Sequence, residues 1–146
     1  MEVLMSVETV LIETWLYETL TGDTTLSGLV NSRVYAYVVP REAALPAVVY
    51  NRQAGHDVLG VDATRILANE VYQVKVIGSG GLPAMAALQT IADRIDALLH
   101  RASGVLTGGQ ILSCTREQAV SYVEQDGAVV YSHLGGLYRI LVRESP

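Results

Sequence analysis

Phenylalanine is missing altogether from the 146 residues, and cysteine, tryptophan and lysine occur once each, as Cys114, Trp15 and Lys75. One cysteine can neither close an internal disulfide nor build a thiolate metal cage, which fits a reducing compartment. Cys114 therefore reads as a small packed side chain. The near absence of lysine, with a net charge of −5, argues against tight binding to a phosphate backbone, which needs clustered cations to displace counterions. An acidic surface would instead let DNA slide past without sticking. No stretch approaches the roughly 18 uninterrupted apolar residues of a membrane span. Residues 1–5 lack the basic start and apolar run of a secretory signal. Neither membrane insertion nor export is expected.

Hydrophobic residues make up 50% of the chain and charged residues 17%, a charged share below the usual quarter of a soluble domain. The length suits a single domain, 1–146, with a real core. The apolar surplus is expected to be covered by other subunits. Residues 6–21 read as a helix, with Ser6 as its cap, Glu8 in the first turn and Gly22 at its end. At about 100° per residue, Val7, Val10, Leu11, Ile12, Trp15, Leu16, Tyr17 and Leu20 fall all round the wheel. A helix apolar on every side must be covered on every side. A terminal helix of a small domain is poorly placed for that, so Trp15, Leu16 and Tyr17 are expected at or beside an intersubunit contact. A Trp15→Asp change should then weaken association more than folding.

Asp23 can cap a short helix over 24–30, and 33–39 alternates as a strand closed by Pro40. Leu45 and Pro46 open a second strand leading to Tyr50, and 55–64 reads as a loop or hairpin tip. In a third strand, 65–77, Tyr72, Val74 and Val76 face one side while Gln73 and Lys75 face a wet one. Pro83 starts an amphipathic helix, 83–100, with Met85, Leu88, Ile91, Ala92, Ile95, Leu98 and Leu99 on one arc. A Gly-rich connection, 103–110, leads to strand 111–124, a tight turn at Asp126 and Gly127, and a last strand, 128–143, bulged or bent at Gly135 and Gly136. The fold predicted is α+β: a mixed or antiparallel sheet of about five strands, one long amphipathic helix packed on one face, and an N-terminal helix.

Chemistry finds little to stand on. The turn 78–83 could cradle an anion at a helix N-terminus, but it lacks both the P-loop Lys-Ser/Thr and the dinucleotide glycine spacing. Asp93, Asp96 and His100 share one side of the long helix at spacings that could converge on a metal, but interleaved with Gln89 and Arg101 they read as an ordinary solvated face. His56 and His133 sit beside glycines in expected loops with no nucleophile nearby, and Ser113-Cys114-Thr115 lacks a hydrolase elbow. No catalytic, cofactor or metal site is assigned. All the aromatics are Tyr or Trp, each with a polar handle, which suits surfaces half-buried at contacts.

Several phrases carry a resemblance. Leu20-Thr21-Gly22-Asp23-Thr24-Thr25-Leu26-Ser27-Gly28-Leu29-Val30 followed by Arg33-Val34-Tyr35 resembles the start of the tail completion, or tail terminator, proteins of long-tailed bacteriophages. Leu45-Pro46-Ala47-Val48-Val49-Tyr50, Tyr72-Gln73-Val74-Lys75-Val76 and Tyr138-Arg139-Ile140-Leu141-Val142 resemble that family's later strands, while 55–69 and the Gly135-Gly136 pair do not match it. The resemblance implies a structural virion protein and not an enzyme: a homo-oligomeric, usually hexameric, ring that terminates the tail tube and joins it to the neck and head. Its partners would be the tail tube protein and neck or connector proteins, with DNA passing non-specifically through the lumen. It would need no cofactor and would be found in the virion tail or neck after assembly in the bacterial cytoplasm. The alternatives are another head-tail connector, such as a head-completion or stopper ring, and a small metal- or anion-dependent enzyme.

Overall fold

Leu88, Ile91, Ile95 and Leu99 recur at helical spacing and bury one side of a helix over Leu82–Leu99, against the inward face of a sheet. In the computed structural model, which describes residues 7–145, the order is α1 (Val7–Thr21), α2 (Thr24–Val30), β1 (Val34–Ala36), β2 (Ala47–Leu59), β3 (Arg65–Ser79), α3 (Leu82–Leu99), β4 (Gly104–Leu106), β5 (Gly109–Asp126) and β6 (Val129–Glu144). Ser6 and residues 1–5 lie outside the described residues.

The fold is α+β, as expected, but the sheet has six strands in the order β1-β2-β3-β6-β5-β4, not about five. It is mixed: β1 runs parallel to β2, and every other neighbouring pair is antiparallel. Nor does one long helix cover it alone. Side chains of α1, α2 and α3 join one core with Val48, Tyr50, Tyr72, Val74, Val76, Tyr138, Ile140 and Val142 of the sheet. The extra strand, β4, is a three-residue edge paired with the start of β5, inside what reads in sequence as a Gly-rich connection.

Strands also run further than their burial pattern suggests. β2 continues through 55–59, so the loop expected from residue 55 is a paired strand whose turn lies beyond Leu59. The turn between β5 and β6 falls at Gly127 and Ala128, with Gly127 at φ +61° and Asp126 paired to Val129. Gly135 and Gly136 make neither bulge nor bend: β6 keeps its register there with both neighbours, and the shifts lie in β5, between Ile111 and Ser113 and between Arg116 and Gln118, and in β2. These glycines allow close approach instead. A Cβ on Gly135 would sit 2.2 Å from the Val74 carbonyl oxygen.

The α1–α2 junction is locked by Asp23. Its carboxylate accepts from the Leu26 amide at 2.8 Å, capping α2, and takes a forked pair of bonds from Arg94 of α3 at 2.6 and 2.9 Å. The Arg94 guanidinium first, and the Leu26 amide second, hold its pKa down at about 2. A depressed folded-state pKa means the stabilisation is complete above the unfolded value of 3.8 and is lost as pH falls towards 2. Thermal melts of Asp23→Asn should therefore lie below the parent near neutrality and converge on it as the pH is lowered through that window.

Candidate functional site

The first helix separates the three residues expected at a subunit contact. Trp15 is 6% exposed and Leu16 fully buried, both inside the protomer's own core, whereas Tyr17 is 50% exposed. The wheel cannot tell a neighbouring element from a neighbouring subunit: α1 touches α2, α3, β1, β4, β5 and β6, so a broad apolar arc is covered from within. What remains outside is a stripe of Val7, Val10, Thr14, Tyr17 and Glu18.

Polar residues of α1 are tied to the sheet. Glu8, nearly fully buried, pairs with Arg65 at 2.7 Å, and Arg65 also reaches Asp57 at 3.2 Å. The Glu13 carboxylate accepts from the Tyr37 hydroxyl at 2.6 Å and the Tyr72 hydroxyl at 2.8 Å. Burial, then the Glu13 bond, pushes the Tyr72 hydroxyl far above the ordinary tyrosine range, so it stays a donor at any working pH. Tyr138 is likewise buried and donates to Asp96 at 2.9 Å. The polar handles of Tyr50, Tyr72 and Tyr138 thus serve the core, and the half-exposed tyrosines are Tyr17, Tyr37 and Tyr122.

The second face of the sheet is not wholly wet. Lys75 is only 9% exposed; its ammonium donates to the Tyr122 hydroxyl and lies 4.9 Å from that ring's centroid. Tyr122 stacks on His133 at 4.2 Å, and His133 Nε2 shares a 2.7 Å hydrogen bond with Glu124. His133 is a buried strand residue of β6, not a loop residue, and His56 lies in β2. Burial, more than the nearby Lys75 charge, lowers the His133 pKa against the opposing pull of Glu124, so the ring is neutral at pH 7. Beside this cluster, Tyr37, Pro40, Arg41 and Leu45 of the β1–β2 loop form, with Ile77 and Tyr131, a groove of about 610 Å³.

The residues considered for chemistry stay apart in their roles. Asp93 accepts from Gln89, Asp96 from Tyr138, and His100 Nδ1 from the Arg116 amide. No group of three His, Cys, Asp or Glu able to hold a metal occurs among the described residues. In the 78–83 turn, Ser132 Oγ donates to the carbonyls of Gly80 and Gly81, and the Gly80 amide bonds to Val130, so that amide is committed to the strand. Cys114 is fully buried, and burial, followed by the Asp96 charge, pushes its thiol up to about 12. A thiol reagent should label it only at the rate of global unfolding, and labelling in native buffer at the rate of a free thiol would show the core to be open there.

What sequence reasoning missed is the exposed apolar clusters on the two hairpins. The tip of β2 and β3 leaves Leu59, Val61 and Ile66 exposed; the hairpin of β5 and β6 does the same with Tyr122, Val123 and Val129. Register places these tips at opposite ends of the sheet. Isolated exposed apolar residues are ordinary; these two clusters stand together on strand ends away from the core.

Against known proteins, the family of the tail completion protein gp17 matches residues 14–143. The chain belongs to that family. It is thereby a structural tail protein of the bacteriophage kind. A solved structure described as the virion of a native gene transfer agent particle contains a chain that superposes with a TM-score of 0.74 at 20% identity, over 97% of this chain and 100% of that one. A second solved structure gives a TM-score of 0.61 at 13% identity, over 97% and 99% respectively. Both likenesses are of fold. No curated protein sequence matches. Among the described residues, no helix is long and apolar enough to cross a membrane.

Proposed function

We propose that this tail completion protein closes into a ring on the finished tail tube, halts its growth and presents the surface that joins the neck and head. Family membership over residues 14–143 is the observation that carries the reading. The likeness to a chain of a gene transfer agent virion supports a place among other virion proteins. The partners proposed are copies of itself, the tail tube protein and a neck or connector protein. Each heterologous interface of a closed ring needs on the order of 1,000 Å² of complementary surface. The two hairpin arms and the α1 stripe supply apolar candidates for it, and Tyr17 is the residue of α1 proposed to lie at the subunit contact. No step of this role calls for catalysis or a cofactor.

Two measurements test it. Sedimentation at increasing concentration should show a closed oligomer of fixed size, with six copies the expected number. Electron microscopy of particles made without the protein should show overlong or headless tails. Tails of normal length beside leaking heads would instead assign it to head completion.

A further inference from the structure

We propose that the free edge of β5, residues 118–124, pairs antiparallel with the same edge of a second copy, so that two protomers meet across a two-fold axis and their sheets become one. The inference does not depend on the ring, whose contacts are of another kind. β4 covers β5 only at Gly109, Gln110 and Ile111, and β6 takes its other side. Just beyond β4 the edge is closed by the turn after α3: the Arg101 amide donates to the Cys114 carbonyl, and His100 Nδ1 accepts from the Arg116 amide. Register shifts between Ile111 and Ser113 and between Arg116 and Gln118 break it further, a usual guard against adding a foreign strand. From Gln118 onward the guards stop. β5 pairs with β6 residue for residue as far as Asp126, has neither proline nor lysine there, and carries no charge before Glu124.

The backbone of this stretch is turned outward for pairing. Asp126 and Val129 flank a two-residue turn and so form a doubly bonded pair. Alternation back along β5 then points the amides and carbonyls of Val123, Ser121 and Ala119 away from β6. Nothing else among the described residues bonds to those backbone groups. The side chains agree with an open edge: residues 121–126 are all exposed, Val123 by 48% and Tyr122 by 40%.

Such an edge needs another that is long and unbroken, and the chain itself offers one. β1 and β4 are three residues each, and the free side of β2, residues 51–59, is interrupted by two register shifts. Among the described strands only β5 matches β5, and two identical strands running antiparallel are related by a two-fold. Centred on Ser121, the pairing sets Val120 against Tyr122 on one face and Ala119 against Val123 on the other, each twice, with Glu124 against Gln118. Within 118–124 no like charges are opposed, and Tyr122 and Val123 are covered. The contact closes at two copies, and the joint sheet then ends on both sides in β1 and β2, whose edges are short or broken.

Proline and lysine test the contact, because both spoil an edge without breaking a backbone bond inside the protomer. Ser121→Pro removes an amide that faces away from β6. Because it also loses the bond from Ser121 Oγ to Met85, Val123→Lys, which sets a charge on the paired edge, is the second variant; circular dichroism checks that each is folded. By sedimentation, at concentrations where the parent is associated, each variant should have half the parent's mass, whether the parent is a simple pair or two rings held together. In the parent, hydrogen exchange at the Ala119, Ser121 and Val123 amides should slow more than about tenfold as the concentration rises through association. If the folded variants keep the parent's mass, or these amides exchange freely in an associated parent, the pairing is overturned and the ring stands. A parent that is monomeric at every concentration overturns the pairing too. Protection that appears only when another virion protein is added gives the edge to that protein and overturns it as well.

Discussion

Trp15→Ala is expected to lower the unfolding free energy by about 3–5 kcal/mol, the usual cost of removing a large buried aromatic. The indole is almost completely enclosed, and its Nε1 lies 3.0 Å from where a Cβ on Gly104 would stand, so β4 is shaped around it. Trp15→Asp should do worse, because a carboxylate would replace the ring in an apolar setting. This reverses the expectation from the helical wheel. Chemical denaturation read by circular dichroism should show loss of folded signal alongside any loss of association. A Trp15→Asp protein that is fully folded yet dissociated would return Trp15 to the subunit contact. Tyr17→Ala gives the contrast, with folding stability within about 1 kcal/mol of the parent because the ring is half exposed.

Gly135→Ala should cost about 1–3 kcal/mol or more, although it adds one methyl group. That methyl would stand 2.2 Å from the Val74 carbonyl oxygen and 2.5 Å from the Lys75 Cα, both backbone atoms of the adjacent central strand. Neither can give way without pulling β3 from β6, and the shift would be felt in the Lys75–Tyr122–His133 stack on that face. Gly28→Ala in α2 is the matched control: nothing lies within 4 Å of its added Cβ, so a helical alanine should gain about 0.5–1 kcal/mol. Thermal unfolding of the pair should move in opposite directions. A neutral Gly135→Ala would mean that the sheet there is softer than its pairing implies.

These two sites also show what the residues alone could reveal. α3 was legible because Leu88, Ile91, Ile95 and Leu99 keep one stripe against polar neighbours, and the α+β order followed from such local patterns. α1 was not, since its apolar residues point at several elements of its own chain and a wheel records direction without identity. The far ends of β2 and β5 leave the core, so neither alternation nor burial marks them and only cross-strand pairing keeps them extended. Glycine at 135 and 136 signalled a special position correctly, but whether it served a bulge or a close approach was decided by Val74 and Arg116 on other strands. The aromatic handles were read outward for a similar reason: the carboxylates that receive them, Glu13 and Asp96, come from remote parts of the chain.

The Glu13 carboxylate, gripped by hydroxyls from two separate places in the chain, acts as an indexing pin for the first helix. Rolling α1 by a single residue would swing that carboxylate through about 100° and release both tyrosines, leaving the Tyr72 hydroxyl stranded. The helix is thereby held at one rotational setting, and Val10, Thr14 and Tyr17 face outward identically in every molecule. The ring proposed above would need that kind of sameness, because an angular error in one copy would be compounded by the next.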